Sequence, residues 1–169
     1  LAYREVTNDY PSPAIVTIDI RDVNDEASKP WAYFGSDASP REKLKQLALE
    51  DLVDFRVGDG RQVLSETSER FDFIFLDGSH RAPMVYREIP AAIRALAPGG
   101  VLVMHDVFPY GRRLWPESRP TPGPWQAISR LASENPALRI IPLGELPWPT
   151  KYGGRSTSLA VVSRGTAKI

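Results

Sequence analysis

Apolar residues along the chain fall into short runs that stop at acidic or glycine-bearing turns, separated by stretches of helical period. Ala14-Ile15-Val16-Thr17-Ile18-Asp19-Ile20 is a β-branched run behind Pro11-Ser12-Pro13 and predicts a strand. Val53-Asp54-Phe55-Arg56-Val57 alternates as a strand does and ends at Gly58-Asp59-Gly60. Phe71 to Leu76 predicts a buried strand and Val101 to Met104 the next, after a turn at Pro98-Gly99-Gly100. Leu138 to Leu143 and Ser158 to Ser163 predict a final pair, joined by the loop Gly144 to Thr157.

The helical signals lie between these runs. Ser39-Pro40-Arg41-Glu42 supplies an N-cap, a proline at the first helical position and an acidic residue three places on. Leu44, Leu47, Ala48 and Asp51-Leu52 continue at helical spacing. Gln62 to Glu69 predicts a short helix. Pro83 to Leu96 predicts an amphipathic one, with Val85, Ile89, Ala92, Ile93 and Leu96 on one face and a kink at Pro90. Trp125 to Ser133 is the last helix. The stretches Arg21 to Pro40 and Val107 to Pro124 read as loops, the first with a short element in it. Leu1-Ala2-Tyr3-Arg4-Glu5-Val6 reads as the middle of a helix, which predicts that the sequence starts inside a longer protein.

Strands alternating with helices define an α/β fold, a doubly wound and mostly parallel sheet with helices on both faces. The last two strands lack a full helix between them, so an antiparallel edge strand is expected near the C-terminus. At 169 residues the chain is read as one domain, residues 1–169, with room for a sizeable core.

Composition removes several function classes. Lys and Arg number 21, as do Asp and Glu, for a net charge of zero. That balance builds no basic face for a phosphate backbone, so nucleic acid is not the expected partner. No apolar run approaches the ~20 residues that cross a bilayer, and no signal peptide is visible, so no membrane partner is expected. The chain has no cysteine, which excludes disulfides and thiolate chemistry and fits a cytoplasmic location. The expected partner is a small-molecule substrate, with homo-oligomerisation open.

The chemistry-bearing residues cluster where apolar runs stop. Only two histidines are present, and each sits beside an aspartate: Asp77-Gly78-Ser79-His80 and His105-Asp106. If both preceding runs are neighbouring parallel strands, their carboxyl ends face one crevice and these four side chains converge. Asp77, His105 and Asp106 combine hard oxygen donors with an imidazole. That set suits Mg²⁺ where carboxylates dominate, and Mn²⁺, Fe²⁺ or Zn²⁺ where histidine ligates. His80 carries an imidazole, which can take a proton from a hydroxyl. Asp19 can accept from ribose hydroxyls, and Asp59, between Gly58 and Gly60, from an exocyclic amine. The bland alternatives are strand-end carboxylates, Asx turns and a satisfied core histidine. Trp31, Trp115, Trp125 and Trp148, with Tyr110 and Tyr152, fall mostly in loops near strand ends and can wall a substrate pocket.

Together these segments resemble a known family. Ile15-Val16-Thr17-Ile18-Asp19, Gly58-Asp59-Gly60, Phe71 through His80, and Leu96-Ala97-Pro98-Gly99-Gly100 through His105-Asp106 are similar to class I S-adenosylmethionine-dependent methyltransferases. The resemblance is narrower to the small O-methyltransferase branch that includes cephalosporin-hydroxylase-like and macrocin-type enzymes. It implies a Rossmann-like fold, S-adenosylmethionine as cofactor and methyl transfer to a small-molecule hydroxyl, with assistance from Mg²⁺ or another divalent cation. By this resemblance Asp19 would hold the cofactor ribose and Asp59, with Gly58 and Gly60, the adenine. Asp77, His105 and Asp106 would be metal ligands, and His80 the general base in place of a lysine. Asp77 would thus serve cofactor, metal and catalysis. The family's glycine-rich cofactor loop has no counterpart in the sequence and is expected upstream of Leu1. Two other classes remain: a metal-dependent hydrolase or hydroxylase using the same cluster, and a non-catalytic methyltransferase-like module.

Overall fold

The computed structural model describes residues 13–150 and 154–164. Leu1 to Val6, Pro11, Ser12 and Tyr152 lie outside the described residues. Contacts divide the chain into two compact units, Leu1–Gly60 and Arg61–Ile169.

In the first unit, β1 (Ile15–Asp19) pairs in parallel with β2 (Val53–Val57), from Ile15 opposite Val53 to Asp19 opposite Val57. Between them come a 3₁₀ turn at Pro30–Phe34, helix α1 (Pro40–Gln46) and a second 3₁₀ turn at Glu50–Leu52. Ser39 Oγ accepts the Glu42 amide at 3.2 Å, the N-cap expected from the sequence. The helix stops at Gln46, short of the expected reach to Leu52. Ala48 turns left-handed at φ 53°, and the Leu49 amide then bonds back to the Leu44 carbonyl at 2.9 Å. The later apolar residues still find the interior, since Leu49 and Leu52 are buried from the turn that follows.

In the second unit, α2 (Gly60–Glu66) leads to β3 (Phe71–Leu76), α3 (Ala82–Ala95), β4 (Leu96–Met104), α4 (Pro122–Glu134), β5 (Leu138–Pro142) and β6 (Ala160–Arg164). The sheet order is β3-β4-β6-β5. β3 and β4 are parallel, and β6 runs antiparallel to both β4 and β5. The fold is therefore mixed α/β with an antiparallel strand near the C-terminus, as expected. That strand is not at the edge, however. The chain returns after residues 143–159 to place β6 between β4 and β5, leaving β5 outermost. The strands also hydrogen-bond as two sheets, β1 with β2 and the other four together.

Two further details depart from the sequence reading. Pro98-Gly99-Gly100 is part of β4 rather than a turn before it. Register jumps from Phe71 opposite Leu96 to Phe73 opposite Val101, so the extra residues form a bulge with Gly99 at φ 84°. A Cβ at Gly100 would lie 2.9 Å from the Phe71 carbonyl oxygen, which explains the glycine there. And β3 buries one face only: Ile74 is inside, while Phe73 and Phe75 are exposed. The buried face packs under α3 and α4. Val85, Ile89, Ala92, Ile128 and Leu131 meet Ile74, Leu102, Met104 and Val162 in one cluster. α3 continues through Pro90, and α4 begins at Pro122, three residues before the expected start. No helix among the described residues is long and apolar enough to cross a membrane.

α3 and α4 are also tied outside the core. The Glu134 carboxylate accepts from the Tyr86 hydroxyl and from Arg130 Nε at 2.8 Å, and the Arg130 guanidinium lies 5.0 Å from the Tyr86 ring centre. The Tyr86 hydrogen bond first, then Arg130, holds Glu134 below its ordinary value of 4.5. A carboxyl with a lowered folded value adds stability above its unfolded value, and that stability is lost as pH falls through the folded one. Stability of the wild type is therefore expected to drop more steeply than that of Glu134→Gln between about pH 5 and pH 3. Urea titrations across that range check this, and parallel curves for the two proteins would remove the linkage.

Candidate active site

The second unit gathers Asp77, His80, His105 and Asp106 at the carboxyl ends of β3 and β4. Leu76 pairs with Met104, and the ladder runs one bond further, from the His105 amide to the Leu76 carbonyl at 3.0 Å. Parallel pairing thus sets the residues after Leu76 beside those after Met104. Asp106 then takes a left-handed backbone, φ 53°, where aspartate is one of the few tolerated side chains. Ser79 Oγ accepts the Arg81 amide at 3.2 Å, shaping the turn that presents His80 ahead of α3.

His80 Nε2 lies 2.9 Å from Asp106 Oδ2. His105 Nδ1 lies 3.2 Å from Asp77 Oδ1 and 3.2 Å from Asp106 Oδ1. Both distances suit a hydrogen bond, yet neither carboxylate is aligned to make one, and this buried nitrogen is left without a hydrogen-bond partner. Asp77, His80 and Asp106 each offer a donor atom within 4.8 Å of the other two. The side chains of His105 and Asp106 are 25% and 23% exposed, against 46% for His80 and 47% for Asp77. The inner pair is therefore shielded while the outer pair stays open to a ligand. A small recess is lined by Asp77, His80 and His105, and also by Glu88 and Pro124.

Three residues that the sequence did not point to shape this site. Ser158 Oγ is 3.4 Å from Asp106 Oδ1. Glu88, on α3, faces Gly78: a Cβ there would lie 3.6 Å from Glu88 Oε1. Gly123, in the first turn of α4, lets the helix abut His80, since a Cβ at Gly123 would fall 1.9 Å from the His80 carbonyl oxygen. Pro122-Gly123-Pro124 was read as loop, so the close approach had no signal there beyond the glycine itself.

Asp19, Gly58, Asp59 and Gly60 belong to the first unit. The Gly58 amide bonds the Asp19 carbonyl at 2.8 Å, extending the β1–β2 ladder so that the two motifs meet at its carboxyl end. Asp19 Oδ1 accepts the Arg21 amide at 2.9 Å in an Asx turn. Of the aromatics, Trp31 is buried and Trp148 exposed. Trp115 packs at 5.9 Å from Phe108, and Trp125 at 5.1 Å from Tyr110. Trp125 follows Pro124 and so stands nearest the recess in sequence.

A family model described as a methyltransferase domain matches residues 2–107, and the chain belongs to that family. No curated protein sequence matches. Among solved structures, the chain is similar to the O-methyltransferase TomG from Streptomyces achromogenes, involved in tomaymycin synthesis and solved in complex with SAM. The TM-score is 0.54 at 18% identity, over 89% of this chain and 61% of that one. It is also similar to an O-methyltransferase from Bacillus cereus in complex with SAH, with TM-score 0.50 and 18% identity over 89% of this chain and 74% of that one. Likeness at this identity shows the fold, and the chain spans about three fifths of TomG. The family match ends one residue after Asp106; Gly123 and Ser158 lie beyond it.

Replacing Gly123 by alanine forces either α4 or the His80 segment to move. Gly123→Ala is expected to cost about 3 kcal/mol in unfolding free energy, at the upper end for overpacking. Denaturant titration measures it; a variant as stable as wild type would mean that the approach is looser than 1.9 Å implies.

Proposed function

We propose that the protein transfers a methyl group from S-adenosylmethionine to a hydroxyl oxygen of a small molecule, with a divalent cation assisting. The observation that carries this reading is the gathering of two carboxylates and two imidazoles at adjacent parallel strand ends in a chain of the methyltransferase family. SAM and SAH in the similar structures support the choice of cofactor. In this reading Asp19, with Gly58, Asp59 and Gly60, binds the cofactor's ribose and adenine. A carboxylate at a strand end is a hydrogen-bond acceptor suited to ribose hydroxyls, and glycines let backbone come close.

Asp77, Asp106 and His105 would hold the cation. The orphaned Nδ1 of His105, buried and 3.2 Å from both carboxylates, fits a nitrogen donor that shares an ion with them. When bound, a divalent cation lowers the pKa of a coordinated hydroxyl, and S-adenosylmethionine supplies an electrophilic methyl group. The protein's own part is positioning and deprotonation. Asp106 Oδ2 holds the His80 ring through Nε2, which leaves Nδ1 to accept the proton of the substrate hydroxyl. The openness of His80 and Asp77 admits that hydroxyl.

A second assignment of the ligands also has an observation behind it, because His80 shares the 4.8 Å cluster with Asp77 and Asp106. There His80 would ligate the ion instead of serving as base.

Calorimetry on the full-length protein tests the cofactor. S-adenosylmethionine is expected to bind, and Asp19→Ala to weaken it about tenfold, the loss of one charge-assisted hydrogen bond. No heat with S-adenosylmethionine or S-adenosylhomocysteine would end the methyltransferase reading.

Mn²⁺ binding followed by electron paramagnetic resonance tests the ligands. His105→Ala is expected to weaken Mn²⁺ at least about tenfold while His80→Ala leaves it unchanged. The reverse pattern moves the ligand role to His80, and no Mn²⁺ uptake by wild type removes the cation.

A further inference from the structure

The antiparallel strand brings a residue to the site from the far end of the chain. β6 pairs with β4 through Leu102 opposite Val162, Val103 opposite Val161 and Met104 opposite Ala160. Continuing that register by two residues sets Ser158 against Asp106. The Val107 amide bonds the Ser158 carbonyl at 2.8 Å, one residue off that register, so the pairing shifts at the left-handed Asp106 while Ser158 stays beside it. Ser158 is 3% exposed, and its hydroxyl lies 3.4 Å from Asp106 Oδ1.

We infer that Ser158 is a positioning residue, which fixes the rotation of the Asp106 carboxylate so that Oδ2 faces His80. The inference deepens the proposed function, since the Asp106 it places is there both cation ligand and partner of the base. Asp106 needs such a partner. Its left-handed backbone persists only where the surroundings over-determine it. The His105 amide, the Val107 amide and the Asp106 carbonyl, which faces Thr121 Oγ1 at 3.5 Å, fix the main chain. None of these bonds fixes the carboxylate's rotation. With Oδ1 accepting from Ser158 on the buried side, Oδ2 is left at 2.9 Å from His80 Nε2. A buried hydroxyl beside a carboxylate donates its proton to it, because the carboxylate can only accept.

¹⁵N labelling of histidine makes this measurable: these 169 residues contribute ring signals from His80 and His105, and a His80→Ala spectrum assigns the first. In full-length protein stripped of metal with chelator, the wild type is expected to show a His80 ring N–H protected from exchange by Asp106. Ser158→Ala should lose that protected signal, and Ser158→Thr, which keeps the hydroxyl, should restore it. Mn²⁺ affinity should fall about tenfold in the alanine variant, as when a residue orienting a ligand is removed. The inference is overturned if Ser158→Ala keeps the His80 signal of wild type. It is equally overturned if Ser158→Thr loses the signal as fully as alanine does, which would make packing the cause. A wild type that takes up no Mn²⁺ counts against the proposed cation alone, and the ring signals in metal-free protein then decide for or against Ser158.

Discussion

The hydrogen bond from the His105 amide to the Leu76 carbonyl, at 3.0 Å, is the last rung of the β3–β4 ladder and the point on which the site rests. Parallel strands carry their carboxyl ends to the same side of a sheet. Once Leu76 and Met104 are in register, Asp77 and His105 must emerge side by side, whatever the loops do afterwards. That register is itself held by the buried face beneath. Ile74 opposite Leu102 and Leu76 opposite Met104 point toward α3 and α4, so a slip by one residue would turn this set away from the helices. The bulge at Pro98-Gly99-Gly100 absorbs the extra length of β4 before the paired run, leaving the register at the site end undisturbed.

A division of labour within the second unit follows. The β3–β4 pair supplies the reactive side chains, whereas α4 and β6 supply the surfaces they lean on. Gly123 brings the start of α4 against the His80 carbonyl, and Ser158 meets Asp106 from the strand that runs the other way. A parallel strand in the position of β6 would have delivered its opposite end here. Reversal of β6 thus has a consequence for chemistry as well as for topology: it lets a residue from the last dozen described positions reach a carboxyl-end crevice.

Much of this was legible from the residues. The strand runs ending at Asp19, Val57, Leu76 and Met104 were visible as β-branched or apolar stretches closed by polar turns, and the convergence of Asp77 with His105 follows from them. Ser39 announced its own cap. What escaped notice depended on tertiary contacts. Ala48 ends α1 in a left-handed conformation that no propensity favours, while the apolar spacing beyond it is served by a 3₁₀ turn. Pro98-Gly99-Gly100 carries turn residues, yet the Phe71 carbonyl pressing on Gly100 makes them a strand bulge. Ser158 was read as the first residue of a strand, with nothing to mark a side chain bonded 52 positions back. The order β4-β6-β5 was hidden as well, since sequence proximity of the last two strands indicates their pairing but not which of them lies outermost.

Charge balance gives the remaining reason to connect these observations. Asp77 and Asp106 offer oxygens within 4.8 Å of each other, and two such charges repel by roughly 3 kcal/mol at an effective dielectric of 20, before screening by water. The fold imposes this proximity through backbone register, so the repulsion cannot relax by moving the strands apart without breaking the ladder. A positive charge between them would offset it. No lysine or arginine forms an ion pair with either carboxylate among the described residues; the nitrogen partners within reach are the two imidazoles. His80 Nε2 lies against Asp106 Oδ2 at 2.9 Å. His105 faces both carboxylates with one nitrogen and bonds neither. A divalent cation shared by Asp77, Asp106 and that nitrogen would cancel both charges at once and occupy the orphaned atom, while leaving the His80–Asp106 contact intact for proton transfer.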